Sequence, residues 1–349
     1  MSETESIIND EDVDVVIAAL HSDVSSFMEQ WRPFFSRFHL IIVKDPDLGD
    51  DLQIPDGFNY NVYTRTDIEQ VLASTPVQYI NFSGYFCRYF GYLMSRKKYI
   101  ISIDDDCFPA KDDKTGILID AMDQHITNLR TPATPKFFNT LYDPYCDGAD
   151  FVRGYPFSLR EGVKCVLSCG LWLNLADLDA PTQALVPDKR NTRYVDAVLT
   201  VPKSSLMPMS GINVAFDREI IGPALVPGLR LAGEGKVRWE TMEDIWCGLC
   251  AKVVIDHLSL GVKSGLPYVW RNESGDAVAS LKKEWEGMKL MEDLVPFFQA
   301  VKLSATTPED CVMEVAKMVK EDLGSSHESI GLAADAMVEW VSLWKAVQS

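Results

Sequence analysis

Asp104, Asp105 and Asp106 follow one another at the end of an apolar run, in the stretch YIISIDDDCFPAKDD. Like charges in a row repel, and aspartate is a poor strand former. Three carboxylates placed there imply a positive partner; the plain alternative is a solvated acidic turn. Mg²⁺ or Mn²⁺ suits them, because such ions take hard oxygen ligands, commonly one or two carboxylates with phosphate oxygens and water. Side chains alternate along an extended chain, so Asp104 and Asp106 face one side as the metal ligands and Asp105 faces the other. Downstream, FFNTLYDPYCDGADFVRGYPFSLREG (Phe137–Gly162) is dense in aromatic, glycine and arginine residues without a steady period. Arg153 and Arg160 in it suit a bidentate clamp on a diphosphate, with salt bridges inside the loop as the equal alternative. In WETMEDIWCGLC, Glu243 and Asp244 head a helix, where they cap its dipole or supply a general base; capping is the simpler role. His257 is a third metal ligand or, more simply, a satisfied buried histidine. Cys247 and Cys250 form a CxxC without a second pair or a His cluster at zinc spacing, which reads as two buried thiols on a helix.

The elements that must position these residues alternate along the first hundred positions. VDVVIAAL (Val13–Leu20) reads as a buried strand and VSSFMEQWRPFFSRF as an amphipathic helix with Pro33 near its end. HLIIVKDPD is a second strand closed by Asp45-Pro46, and YNVYT a third; DIEQVLAS begins with Asp67 at the N-cap. GYFCRYFGYLMSRKK is an aromatic helix ending in Arg96, Lys97 and Lys98, where cations suit the dipole, and YIISI is the fourth strand. Strands alternating with crossover helices predict an α/β fold with a mostly parallel sheet, whose ligands bind beyond the carboxyl ends of the strands. The triplet stands at such an end. No GxGxxG or GxxxxGK[ST] loop follows the first strand, which argues against a dinucleotide dehydrogenase and a P-loop NTPase. From about Pro308 the pattern turns helical, so an α/β catalytic unit over 10–300 and a helical C-terminal extension over 301–349 are expected, the extension packing on the core rather than forming a coiled partner contact.

The chain of 349 residues carries a formal net charge of −18, which disfavours nucleic acid and anionic lipid as primary partners. No run approaches the roughly 20 apolar residues of a membrane span. The acidic start MSETESIINDEDVD is unlike a signal peptide, so a cytosolic protein with reduced cysteines is expected.

An apolar strand ending in DDD resembles the nucleotide-sugar signature of A-type glycosyltransferases. IDDDCFPAKD, the Phe137–Gly162 stretch, GLWLNLADLDAPTQ, RNTRYVDAV, GINVAFDREIIGPA and DHLSLGVKSGLPY closely resemble the plant reversibly glycosylated polypeptides, which include the UDP-arabinopyranose mutases. The similarity runs from about Val13 to Phe298 and more loosely beyond. It implies a glycosyltransferase A-type fold, interconversion of UDP-L-arabinopyranose and UDP-L-arabinofuranose for plant cell-wall polysaccharides, and reversible self-glycosylation. It implies UDP-arabinose, UDP-glucose, UDP-xylose or UDP-galactose as ligands, Mn²⁺ or Mg²⁺ and no flavin, homo- or hetero-oligomers with paralogues, and a peripheral place on the cytosolic face of the Golgi. The acidic motif maps onto Asp104, Asp105 and Asp106, the glycosylated arginine onto Arg153, and a second arginine needed for activity onto Arg160. Cys169 stands where the family has a histidine, MEDIW stands for YDDMW, and VPGLRLAGEGKVRWET departs as well, which marks a divergent subclass. A self-glycosylating transferase that primes a polysaccharide and a non-catalytic UDP-sugar-binding subunit are the two other readings.

Overall fold

Every residue of Val13–Ala19 is buried, as a β-branched run must be when helices cover both faces of a sheet. The computed structural model describes residues 8–112, 114–146, 150–175, 177–229, 239–272 and 276–348. The acidic start through residue 7, residues 147–149 of the aromatic loop and residues 230–238 of the divergent segment lie outside them. In chain order the elements are β1 (Val13–Ala19), α1 (Ser25–Phe35), β2 (His39–Lys44), β3 (Asn59–Tyr63), α2 (Arg65–Ser74), α3 (Cys87–Met94), β4 (Tyr99–Asp104) and β5 (Cys107–Pro109). There follow α4 (Ala121–Arg130), β6 (Cys165–Asn174), α5 (Ala180–Leu185), β7 (Val198–Thr200), β8 (Asn213–Asp217) and α6 (Arg218–Ile221). The chain closes with α7 (Glu243–His257), β9 (Gly261–Arg271), α8 (Ala277–Ala300), α9 (Pro308–Asp322) and α10 (Glu328–Gln348).

The sheet runs β3-β2-β1-β4-β8-β6-β9-β5, with β7 beside β9. The β3-β2-β1-β4 quartet is parallel, and so is β6 with β9. β8 runs antiparallel to both β4 and β6, and β5 and β7 run antiparallel to β9. Alternation divides β1 between two cores. Val13, Val15, Ile17 and Ala19 pack against α1 and α4, while Val16 and Ala18 face the side covered by α3, α7, α9 and α10. The last two helices are thus part of the main core: Trp340 is buried edge-on to Tyr89, and Glu339 accepts the backbone N–H of Gln78 (2.7 Å) and Tyr79 (2.9 Å). Among the described residues no helix is long and apolar enough to cross a membrane.

Several boundaries differ from the sequence pattern. α2 begins after Thr64, whose N–H donates to Asp67 (2.7 Å), so Asp67 is the third residue of a capping box and Thr64 the cap. Pro33 lies inside α1, which continues to Phe35. Arg96, Lys97 and Lys98 follow the end of α3; Arg96 donates to the Val347 carbonyl at the end of α10 (2.9 Å) and Lys97 to that of Glu11 (2.7 Å), so tertiary partners replace the helix dipole.

Candidate active site

β4 and β1 are parallel and in register, with Ala18 opposite Asp104, so the triplet leaves the sheet beside the exit of β1. Asp105 turns toward that exit, where its Oδ2 accepts the N–H of Leu20 (2.8 Å) and of His21 (2.9 Å) and meets His21 Nδ1 (3.1 Å). Burial raises the Asp105 carboxyl, and these bonds oppose the rise. The side chain therefore ties the segment leaving β1 to the end of β4. Asp104 faces the other way. Its Oδ2 accepts from Arg88 Nη2 (3.0 Å), and both side chains are almost wholly buried. Gly211 makes this possible, since a Cβ there would lie 1.7 Å from Arg88 Nη1. Asp106 accepts from Arg271 Nε (3.1 Å) and takes the Cys107 thiol (3.2 Å) on its other oxygen. β5 pairs Cys107 with Arg271, which fixes this neighbour, and Trp31 Nε1 holds the Cys107 carbonyl from α1 (2.8 Å).

The positive partner of the triplet is thus built into the chain. Arg88 was legible only as the one charge inside the aromatic run GYFCRYFGYLM, and Arg271 only as a cation ending an apolar strand. Burial pushes the Asp104 carboxyl up to about 7; Arg88 opposes the rise, and Asp106 and Asp105 add to it. Asp104 Oδ1 and Asp105 Oδ1 are buried without a hydrogen-bond partner among the described residues. For Mn²⁺ or Mg²⁺, however, the residues present do not fit while Arg271 stays on Asp106. Among the described residues no three His, Cys, Asp or Glu side chains gather to hold an ion.

α7 brings Glu243 toward the same region, buried, with Gly228 packed on its Cβ and with Arg88 and Tyr89 within its field. Asp244 is raised by burial, then by Glu243 and Asp177, to about 7, and its Oδ1 accepts the N–H of Ile245 (2.8 Å). A carboxyl poised there is chemically a general acid or base as well as a first-turn anion. His257 is at the far end of α7, bonded through Nε2 to the Ala305 carbonyl (2.7 Å), and is a structural histidine. Cys247 and Cys250 are buried free thiols pushed well up by burial, and burial likewise lifts the Cys169 thiol to about 12.

Arg153 and Arg160 are not brought to the triplet. Ile100 of β4 pairs with Phe216, which pairs with Leu167 of β6, so β6 begins level with the start of β4. Asp104 is at the opposite end of that strand, four residues beyond Ile100 at about 3.3 Å each. The loop before β6 is anchored at the starting end. Ala133 bridges Val163, and buried Lys263 reaches Asp143 (2.7 Å) and Thr131 (2.6 Å). The guanidinium of Arg160 lies over Phe157 (4.0 Å) and Phe151 (4.9 Å), and the Tyr145 hydroxyl donates to its carbonyl. Arg153 is exposed and has neither hydrogen bond nor ion pair among the described residues.

An α/β sheet that gathers carboxylates and guanidinium groups at the carboxyl ends of its parallel strands is built to hold a polar ligand there. The chain belongs to the reversibly glycosylated polypeptide family, whose model matches residues 8–349. It is 66% identical to the probable UDP-arabinopyranose mutase 5 of Arabidopsis thaliana, over 98% of each chain. It is 61% identical to the probable inactive UDP-arabinopyranose mutase 2 of Oryza sativa subsp. japonica, over 97% of each. Identity to UDP-arabinopyranose mutase 1 of Arabidopsis thaliana is 51%, over 96% of this chain and 92% of that one.

Proposed function

We propose that the chain is an isomerase of the UDP-arabinopyranose mutase type, acting on UDP-L-arabinopyranose and UDP-L-arabinofuranose for cell-wall synthesis. The observation that carries this reading is family membership along nearly the whole chain, with relatives so named at 51% and 66% identity. The reaction must break the anomeric C–O bond to diphosphate, open the ring, close it on another hydroxyl and restore the diphosphate. The end of β4 suits these needs: Arg88 keeps one carboxyl of the triplet paired, Arg271 presents positive charge, and Asp104 and Asp244 hold or release a proton near neutrality. Arg153, exposed and unpaired among the described residues, is open to glycosylation, but its separation from Asp104 favours an adduct that is a side product over an intermediate of ring change within one chain. Arg160 is proposed to shape that loop. Location on the cytosolic face of the Golgi, and oligomers with paralogues, complete the reading; protection of the intact chain from protease by sealed Golgi vesicles would contradict the location.

A second reading is a UDP-sugar-binding subunit without turnover, favoured by the 61% relative named probable inactive. Incubation of the pure protein with UDP-L-arabinofuranose separates the two: pyranose product supports the mutase, and binding without conversion supports the subunit.

A further inference from the structure

We propose that Arg271 stands in the place of a divalent cation at Asp106 and receives the diphosphate of the nucleotide sugar, so that binding needs no metal. This rests on the triplet being the UDP-sugar site. The two oxygens of Asp106 are already used, one by Arg271 Nε and the other by the Cys107 thiol. A metal and the guanidinium compete for the same carboxylate, and like charges side by side exclude one another. The guanidinium is held in place. Arg271 is the register partner of Cys107, its carbonyl accepts from Asn174 Nδ2 (2.7 Å), and the next residue donates its N–H to the Asp106 carbonyl (3.3 Å).

What remains free is the far side of the fork. Arg271 donates through Nε only, and neither terminal amino group has a partner among the described residues. Its side chain is 27% exposed, against 1% for Asp106, so it is the open member of the pair. Two coplanar N–H groups with a carboxylate behind them match two phosphate oxygens and keep the fork oriented. Arg88 has no such freedom: its guanidinium is enclosed beside Gly211 and neutralises Asp104 from below.

The test is calorimetric titration of the full-length protein with UDP, in EDTA and in Mn²⁺, for the wild type and for Arg271→Ala, Arg271→Lys and Arg271→His, with circular dichroism to verify folding. In the wild type, UDP affinity should agree within about threefold between EDTA and Mn²⁺, since the fork is already present. Arg271→Ala should bind UDP in EDTA about tenfold or more weakly, and Arg271→Lys should fall between, keeping charge without the fork. Arg271→His, offering a ligand nitrogen beside Asp106 and Asp104, should bind UDP better in Mn²⁺ than in EDTA. Wild-type binding that disappears in EDTA and returns with Mn²⁺ would overturn the inference while leaving the UDP-sugar site in place. A folded Arg271→Ala protein with wild-type affinity in EDTA would do the same. No UDP binding in any condition would overturn the site itself.

Discussion

At the scale of single residues, the Arg88–Asp104 pair makes the sharpest demands. Both side chains are buried, so removing the guanidinium leaves Asp104 protonated and short of a hydrogen-bond partner, and Arg88→Ala should cost about 1–3 kcal/mol in a denaturant titration. Arg88→Met with Asp104→Leu should recover much of that loss, because an apolar pair leaves no polar group unpaired; a double variant no better than Arg88→Ala would contradict the account. Asp104 also sets a pH dependence. Its carboxyl is raised by burial to about 7 from an unfolded value near 3.9, so the folded state binds the extra proton between those values. That stability is fully present below about pH 4 and is lost as pH rises through 7. Asp104→Asn should flatten this segment of the stability–pH curve, and an unchanged slope would place the titration elsewhere. Arg153→Lys should abolish self-labelling by UDP-glucose, read by mass spectrometry, while UDP affinity and ring interconversion survive; loss of interconversion would make the adduct an intermediate. The triplet was legible because like charges seldom line up at a strand exit without reason. Its partner was not, since Arg271 is 165 positions from Asp106 and no local period connects them.

At the scale of elements, the close approach of α3 to the sheet is set by Gly91, where a Cβ would lie 2.5 Å from Val16 Cγ1. Gly91→Ala should lower stability by about 1–3 kcal/mol in a thermal melt, as overpacking does in a core that cannot give. β1, β2 and β4 could be read from their apolar runs, because a parallel strand buried on both faces has little polar sequence to confuse it. The antiparallel β8 was not legible: NVAFD is short and fully buried, and its direction depends on pairing with β6 and, across more than a hundred residues, with β4. The same lack of local signal leaves the place of Arg153 and Arg160 unread in the sequence. The composition of the Phe137–Gly162 loop announces guanidinium groups and aromatic rings, and the Arg160 guanidinium lies over Phe157. Only the register of β6 against β8 and β4 shows that the loop stands at the end of the sheet away from Asp104.

At the scale of the whole molecule, α9 and α10 share a core with the sheet, so removal of residues 301–349 should not leave a folded enzyme. Trp340, fully buried against Tyr89, gives the graded version: Trp340→Ala should cost about 3–5 kcal/mol. A truncated chain that melts cooperatively and binds UDP like the full protein would make the extension independent. The central claim is that this sheet, with its guanidinium-paired triplet, changes the ring size of a UDP-linked arabinose. The most direct measurement incubates the purified full-length protein with UDP-L-arabinofuranose and resolves the nucleotide sugars by chromatography. Conversion to UDP-L-arabinopyranose is expected of the wild type and none of Asp104→Ala with Asp106→Ala; a folded wild type that binds the nucleotide sugar and returns it unchanged would show that the sheet does not catalyse the ring change.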